Sequence, residues 1–316
     1  MLRTILVLMA ALVGAVVLAL VMPFEVRPEQ EVAFWHVTWV YLAFTLTCAV
    51  VGEITGNVSQ VDKSWSVVPS IYAWLFALES SWNPRVVLMA VVITIWSIRL
   101  TYNFTRRGGF SWPPWSGEED YRWEVLRNIP LFKGHRFRWT LFNFGFICGY
   151  QMSLIYLFTL PVLLAWTDQP LGIFDGVLAA AVVGLVAIEW LADQQQYDFQ
   201  EEKWRQIREE GAARFPWSVG FTHHGLWAWS RHPNYAAEQT IWLCIYLFSV
   251  VATGALYNPT AIGIVLLIML FVGSSDFSEG ISLKKYPAYQ TYVDALPRFW
   301  PMPWSRPWKP SEPSVE

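Results

Sequence analysis

Runs of uncharged apolar residues, separated by shorter polar stretches, follow one another along most of the chain. They cover residues 5–22, 32–51, 64–78, 86–98, 139–166, 177–188, 239–256 and 261–274. A helix needs roughly 20 residues to cross a bilayer, so the shorter runs must either take polar neighbours into the membrane or end on one another. The pattern predicts an all-α fold, a polytopic membrane bundle of seven or eight transmembrane helices.

The two ends of the chain differ from its middle. The first apolar run could be a secretory segment, but Pro23 and Phe24 stand where a small-x-small cleavage pattern is expected, so we expect a retained helix. The sequence predicts N-terminal transmembrane helices at 1–55, a transmembrane catalytic domain at 56–300 and a Pro/Trp-rich cytoplasmic tail at 301–316.

Composition agrees with a surface that faces lipid. Charged residues make up 15% of the chain, whereas soluble proteins carry roughly 25%. The 20 Trp suit the headgroup boundary, since the indole ring is apolar and its N–H is polar. The net charge of -3 does not indicate the basic surface that nucleic-acid binding requires. The three cysteines lie inside apolar runs and are expected to be buried and unpaired.

Basic residues cluster in some of the polar stretches and are missing from others. They concentrate after residue 98, before Arg231 and in the tail, while the connections near Asp168 and Tyr257 carry none. Because basic loops stay in the cytoplasm, eight spans with both termini inside satisfy every loop. We expect an integral membrane protein with its active site facing the cytoplasm.

The sharpest polar cluster is the segment GLWAWSRHPNYAAE at 225–238, which leads directly into an apolar run. Pro233 suits the first turn of a helix, so Asn234, Glu238 and Trp242 would share one face. A charged group inside a membrane span costs ~2.5–3.5 kcal/mol, which makes Glu238 a candidate functional residue. The alternative is that Glu238 caps its own helix and pairs with Arg231.

This segment resembles the cofactor-binding segment of the steroid 5α-reductase family, in its bacterial membrane branch. The resemblance covers about residues 55–300 and implies that Asn234 and Glu238 hold the nicotinamide end of NADPH, with Arg231 beside them. It also implies a protein of the bacterial inner membrane. Isoprenylcysteine carboxyl methyltransferases and sterol reductases carry similar segments.

The resemblance extends to the preceding helix and to an earlier helix end. Gln194, Asp198 and Arg205 are spaced to share a helical face, and they are similar to the family's Asn, ribose-binding Asp and phosphate-binding Arg. Arg99 and Arg107 match family arginines, which suit phosphate. The alternatives are a solvated helix face for Asp198 and Arg205, and a positive-inside anchor to lipid headgroups for Arg107.

The resemblance is weakest at the proton donor. The family uses a Gln-Glu pair and a Tyr, and here Val61, Asp62 and Trp96 stand at these positions, so only the acid is kept. An apolar neighbourhood should raise the pKa of Asp62 and let it donate a proton. Its alternatives are a helix N-cap or a pair with Lys63. Tyr102 could replace the missing phenol.

Residues after the last apolar run complete the candidate site. The family carries cofactor-contacting residues there, with a His and a Tyr where Ser275 and Glu279 stand. We expect the segment with Asp276 and Glu279 to close over the cofactor, and Tyr286 to contact it. The five histidines show no spacing that suits a metal site.

The resemblance implies an NADPH-dependent reductase of a carbon–carbon double bond conjugated to a carbonyl, in a lipophilic substrate such as a 3-oxo-4-ene steroid. Hydride would reach the β-carbon while an acid hydrogen-bonds the carbonyl oxygen. Membrane lipid and a lipophilic small molecule are the expected partners, without nucleic acid. Two alternatives are an S-adenosylmethionine-dependent methyltransferase and a non-catalytic lipid-binding protein. The sequence leaves open the substrate, the choice between NADPH and NADH, protein partners and oligomeric state.

Overall fold

The computed structural model describes residues 2–21 and 26–310, and within these ranges regular structure is helical. The helices are α1 (Leu2–Val21), α2 (Pro28–Thr55), α3 (Gln60–Glu79), α4 (Pro84–Thr105), α5 (Tyr121–Arg127), α6 (Arg136–Leu164), α7 (Ile173–Glu210), α8 (Pro233–Thr253), α9 (Ala261–Lys285) and α10 (Tyr289–Ala295). This confirms the all-α prediction for the described residues.

Six helices, α2, α4, α6, α7, α8 and α9, are long and apolar enough to cross a membrane. They fit an integral membrane protein. The run at 5–22 falls largely on α1 and the run at 64–78 lies in α3, whose first turn carries Asp62 and Lys63. The count of seven or eight spans therefore stays a prediction. With 38 residues, α7 is about 57 Å long and extends beyond a ~30 Å hydrocarbon core.

The chain forms two compact units. The N-terminal unit contains Leu2–Val183 and Trp242–Met269. In it, α3 packs against α2, α4 and α6. Aromatic side chains fill its interior: the Trp96 and Trp242 rings meet edge to face at 4.9 Å, and Phe158 lies 4.1 Å from Trp242. All three side chains are fully buried, so packing fixes this part of the bundle.

A buried ion pair holds the start of α4. Arg85 Nε donates to Asp175 Oδ1 at 2.8 Å, and the two side chains are 3% and 1% exposed. Further Arg85 donors reach Thr167 Oγ1, Gln169 O and Pro170 O. The guanidinium therefore ties the segment before α7 to α4, because buried charge is stable only when it is paired and hydrogen-bonded.

The C-terminal unit contains Gly184–Ile241 and Leu270–Glu316, of which the residues up to 310 are described. Its core is aromatic: Phe221, Tyr289 and Tyr292 are buried together, and Trp308 packs against them. Tyr292 Oη donates to the carbonyl oxygen of Trp227 at 2.6 Å. The loop after α7 is therefore fixed to α10.

The three cysteines, Cys48, Cys148 and Cys244, are buried and free. This confirms the prediction that they are small apolar residues without a disulfide.

Candidate functional site

A cluster of buried polar side chains lies in the C-terminal unit, where α7 and the first turns of α8 come together. Asn234 Nδ2 donates to Asp193 Oδ1 at 3.2 Å, and Asn234 Oδ1 accepts the backbone N–H of Tyr235 at 3.0 Å. Asp193 and Glu238 are each 4% exposed. Since α8 begins at Pro233 as expected, Glu238 lies one turn beyond Asn234. Asp193 therefore orients the amide that neighbours the buried carboxylate.

Arg231 binds partners other than Glu238. Its Nε donates to Glu279 Oε1 at 2.8 Å, and its Nη1 donates to the carbonyl oxygens of Val293 and Leu296 at 2.9 and 2.7 Å. The ion pair that forms is therefore Arg231–Glu279, and the alternative pair Arg231–Glu238 is wrong. Most of the described donors of Arg231 hold the end of α9 and α10, so a cofactor contact by Arg231 stays a prediction.

The Glu279 carboxylate is the centre of a buried hydrogen-bond network, which the sequence did not reveal. The same Oε1 that accepts from Arg231 lies 2.8 Å from His232 Nε2, and Glu279 is 6% exposed. The His232 ring stacks on Tyr235 at 5.2 Å. Glu279 was expected to close over a cofactor, but its described partners are the Arg231 guanidinium and the His232 ring. Asp276, three residues earlier, pairs at 2.7 Å with Arg298 on the surface.

The predicted face of α7 is exposed and hydrogen-bonded within its own helix. Gln194 Nε2 donates to Asp198 Oδ1 at 2.7 Å. Arg205 pairs with Glu202 at 2.7 Å and with Glu209 at 2.6 Å. Exposed ion pairs contribute only ~0.2–1 kcal/mol each, so a phosphate could replace these carboxylates at little cost.

His224 lies near Asp198, a neighbour that the sequence did not indicate. Burial lowers the pKa of His224, and the Asp198 carboxylate opposes this by raising it. The next residue, Gly225, has φ +58°, and a Cβ there would lie 2.3 Å from the Gln195 side chain. Gln195 Oε1 accepts the N–H of Leu226 at 2.9 Å. Only glycine permits this close approach of the loop to α7.

Tyr286, a predicted cofactor contact, packs against the loop after α7. A Cβ at Gly220, whose φ is +93°, would lie 2.2 Å from the Tyr286 ring. The ring also lies 5.9 Å from Phe221 and 5.4 Å from the Lys285 ammonium. These contacts give Tyr286 a packing role, and its cofactor role stays a prediction.

In the N-terminal unit, Asp62 accepts a hydrogen bond from an indole. Trp123 Nε1 donates to Asp62 Oδ2 at 2.9 Å. Burial raises the pKa of Asp62 to about 6, against the lowering effect of the Arg122 guanidinium. Ser59, not Asp62, precedes α3 as its N-cap residue. The Lys63 ammonium donates to the carbonyl oxygens of Pro114 and Ser116. Asp62 therefore forms neither the helix N-cap nor the ion pair with Lys63 that were its two alternatives.

The loop before α5, the helix that carries Trp123, is fixed to the start of α3 through its backbone. Four consecutive carbonyl oxygens, from 114 to 117, accept hydrogen bonds from side chains of the segment 57–63: Lys63 bonds to two of them, Gln60 to one and Asn57 to one. Asp120 then accepts the N–H of Arg122 and starts α5. This arrangement sets Trp123 beside Asp62.

The remaining predicted residues lie on α4 and just after it. Arg99 is 3% exposed, whereas Tyr102 is 50% exposed and has the Arg106 guanidinium 5.6 Å from its ring. Arg107 is exposed beyond the helix end. Trp96, at the family's Tyr position, is buried against Trp242. In the described residues, His, Cys, Asp and Glu side chains form no group that could hold a metal ion.

These features define an all-helical integral membrane protein with buried carboxylates near the ends of its helices. The chain belongs to the DUF1295 family, described as a protein of unknown function, and the match covers residues 48–296. It is similar to an uncharacterized protein of Schizosaccharomyces pombe, with 35% identity over 260 residues, 78% of this chain and 73% of the relative. No solved structure matches it.

Proposed function

We propose that this protein is a membrane-embedded, NADPH-dependent reductase of a carbon–carbon double bond conjugated to a carbonyl in a lipophilic, steroid-like substrate. The observation that carries this proposal is the buried carboxylate of Glu238, one helical turn from an Asn234 amide that Asp193 orients. The segment around them resembles the cofactor-binding segment of steroid 5α-reductases. Every residue proposed below lies within the 48–296 match to the family.

The nicotinamide end of NADPH fits the chemistry of Asn234 and Glu238. A carboxamide offers two N–H donors and one carbonyl acceptor. The Glu238 carboxylate can accept from its NH₂, while Asn234 keeps a second N–H and a second lone pair after its bonds to Asp193 and Tyr235. A buried carboxylate beside such an amide is therefore suited to this group.

The ribose and phosphate groups fit the exposed face of α7. Gln194 and Asp198 form a hydrogen-bonded amide–carboxylate pair that can meet ribose hydroxyls. Arg205 is held only by exposed carboxylates that a phosphate can displace. By resemblance we also assign four further residues to cofactor binding: Arg99, Arg107, Arg231 and Tyr286. In this proposal Arg231 keeps its hydrogen bond to Glu279 when the cofactor binds.

NADPH, when bound, supplies the hydride that reaches the β-carbon of the substrate. We assign the proton to Asp62, because its raised pKa of about 6 leaves a fraction of the carboxyl protonated near neutral pH. Trp123 binds Oδ2 and fixes the carboxyl orientation, so the other oxygen can donate to the substrate carbonyl. Tyr102 is the second candidate donor. The basic residues after α4 and in α7 support a cytoplasmic location for the cofactor residues.

Isothermal titration of purified Glu238→Ala protein with NADPH tests the proposal. Losing a buried hydrogen bond to a charged group costs about 1.5–3 kcal/mol, so NADPH binding should weaken roughly tenfold to a hundredfold. Glu201→Ala, which removes an exposed carboxylate of α7, is the control and should bind normally.

The same titration separates the alternatives. Binding of S-adenosylmethionine in place of NADPH, lost in Glu238→Ala, would indicate a methyltransferase. Unchanged NADPH affinity in folded Glu238→Ala protein would contradict the reductase proposal.

A further inference from the structure

The segment 297–309, which we call the C-terminal strap, is fixed to the C-terminal unit. Backbone N–H groups of Arg231 and His232 donate to the carbonyl oxygens of Pro297 and Arg298 at 3.1 and 3.0 Å. Further along, the N–H of Trp308 donates to the carbonyl oxygen of Ala228 at 2.9 Å. A segment held at both ends presents its side chains in defined positions.

The strap contacts α8 near the start of that helix. Trp300 Nε1 donates to Thr240 Oγ1 at 3.0 Å, and Trp300 remains 45% exposed. Thr240 is within about two turns of the start of α8, a helix long and apolar enough to span the bilayer. A partly exposed indole near the end of such a helix suits the region where headgroups meet acyl chains.

A groove of about 660 Å³ lies between the strap and the end of α10. Charged groups of both signs line it: Arg306 and Lys309 from the strap, and Asp294 from α10. Met302 and Trp304 also line it and are 54% and 78% exposed. The groove thus combines two cations, one carboxylate and two exposed apolar side chains.

We propose that this groove binds the headgroup of phosphatidylethanolamine. Arg306 and Lys309 bind the phosphate, and the Asp294 carboxylate accepts hydrogen bonds from the ammonium group. Gln290 Nε2 donates to Asp294 Oδ1 at 2.8 Å and so orients the carboxylate. Met302 and Trp304 contact the glycerol and the first acyl carbons.

The carboxylate decides between headgroups. An anionic headgroup without an amine would meet the negative charge of Asp294 without compensation. A phosphatidylcholine headgroup keeps the positive charge but has no N–H to donate. Phosphatidylethanolamine satisfies all three charged residues, and this inference does not depend on the reductase proposal.

Native mass spectrometry of the full-length protein, released from micelles with equal amounts of phosphatidylethanolamine and phosphatidylcholine of the same acyl chains, tests this site. The wild-type protein should retain phosphatidylethanolamine in preference. D294N should reduce that preference about two- to fivefold, the size expected for an exposed ion pair. R306Q/K309Q should lose most retained lipid of both kinds.

The matched control is K284Q/K285Q, which removes two cations from the end of α9 in the same unit. It should retain lipid as the wild-type protein does. Equal retention of the two lipids by the wild-type protein would overturn the proposal, as would an unchanged preference in D294N. Displacement of the lipid by inorganic phosphate alone would also overturn it, since the site would then recognise only a phosphate.

Discussion

At the scale of single residues, the buried carboxylates show how this chain tolerates charge in an apolar environment. An isolated buried carboxylate is strongly unfavourable, so each needs donors. Asp193 accepts from an amide, Asp62 from an indole and Glu279 from a guanidinium. The strength of these donors differs. Burial raises the pKa of Asp62, and this makes its carboxylate sensitive to pH.

The stability of the protein should therefore depend on Asp62 between about pH 4 and pH 6. The pKa of Asp62 rises from an ordinary 3.8 to about 6 on folding, because burial disfavours the charged form. The folded state then holds the proton where the unfolded chain has lost it, so raising the pH through this window lowers stability. Asp62→Asn keeps an oxygen acceptor for the Trp123 indole N–H but does not titrate, so it should remove this loss of stability at higher pH.

Thermal unfolding in detergent at pH 4.5 and pH 7 measures the effect. The variant should gain stability relative to the wild-type protein at the higher pH. Asp168→Asn, at an aspartate whose side chain is 93% exposed, should show no such gain. A pH-independent difference between Asp62→Asn and the wild-type protein would mean that Asp62 has an ordinary pKa.

At the scale of elements, one buried carboxylate joins α9 to the segment before α8. Glu279 on α9 contacts both Arg231 and His232, and Arg231 in turn bonds to the carbonyl oxygens at the end of α10. Asp276, one turn earlier on α9, also forms an ion pair, but its side chain is 58% exposed. The two pairs on one helix differ mainly in burial.

Glu279→Gln should therefore destabilise the protein far more than Asp276→Asn. Removing one partner of a buried pair leaves the other charge uncompensated, at a cost of ~3–5 kcal/mol, whereas an exposed pair contributes ~0–1 kcal/mol. Thermal melting of the two variants in the same detergent gives the comparison. A similar small loss of thermal stability in both variants would show that solvent reaches Glu279. The ion pair between Glu279 and Arg231 would then contribute little to stability.

At the scale of the whole molecule, the distribution of basic residues predicts orientation. The polar stretches near Arg122 and Arg208 are rich in basic residues, whereas the connection at Asp168 is not. Six helices of membrane length support the integral membrane assignment. Which side each loop faces follows only from the positive-inside rule.

Single-cysteine variants at Arg122, Arg208 and Asp168, in a background without the three buried cysteines, test the orientation. An impermeant thiol reagent added to intact cells should label the variant at Asp168 and spare the other two. After the membrane is opened, all three should react. Labelling at Arg208 in intact cells would place the α7 residues on the side that lacks NADPH.

The sequence by itself determined where the main helices lie and which residues share a face at the start of α8. In the described residues, each apolar run lies on a helix over most of its length, because a backbone in lipid must satisfy its own hydrogen bonds. Pro233 began α8, and Glu238 proved buried one turn beyond Asn234, because local spacing alone sets which residues share a helical face. The burial of the cysteines followed from their apolar surroundings.

Only the tertiary structure decided which polar groups pair. Arg231 bonds to Glu279, 48 residues away, instead of Glu238, and Trp123 reaches Asp62 from 61 residues away. Periodicity carries no information about such partners, since they depend on how helices and loops pack. The same packing placed Tyr286 against Gly220. A buried polar group must bond to whatever donor or acceptor the fold brings beside it, and that neighbour is a property of the folded chain.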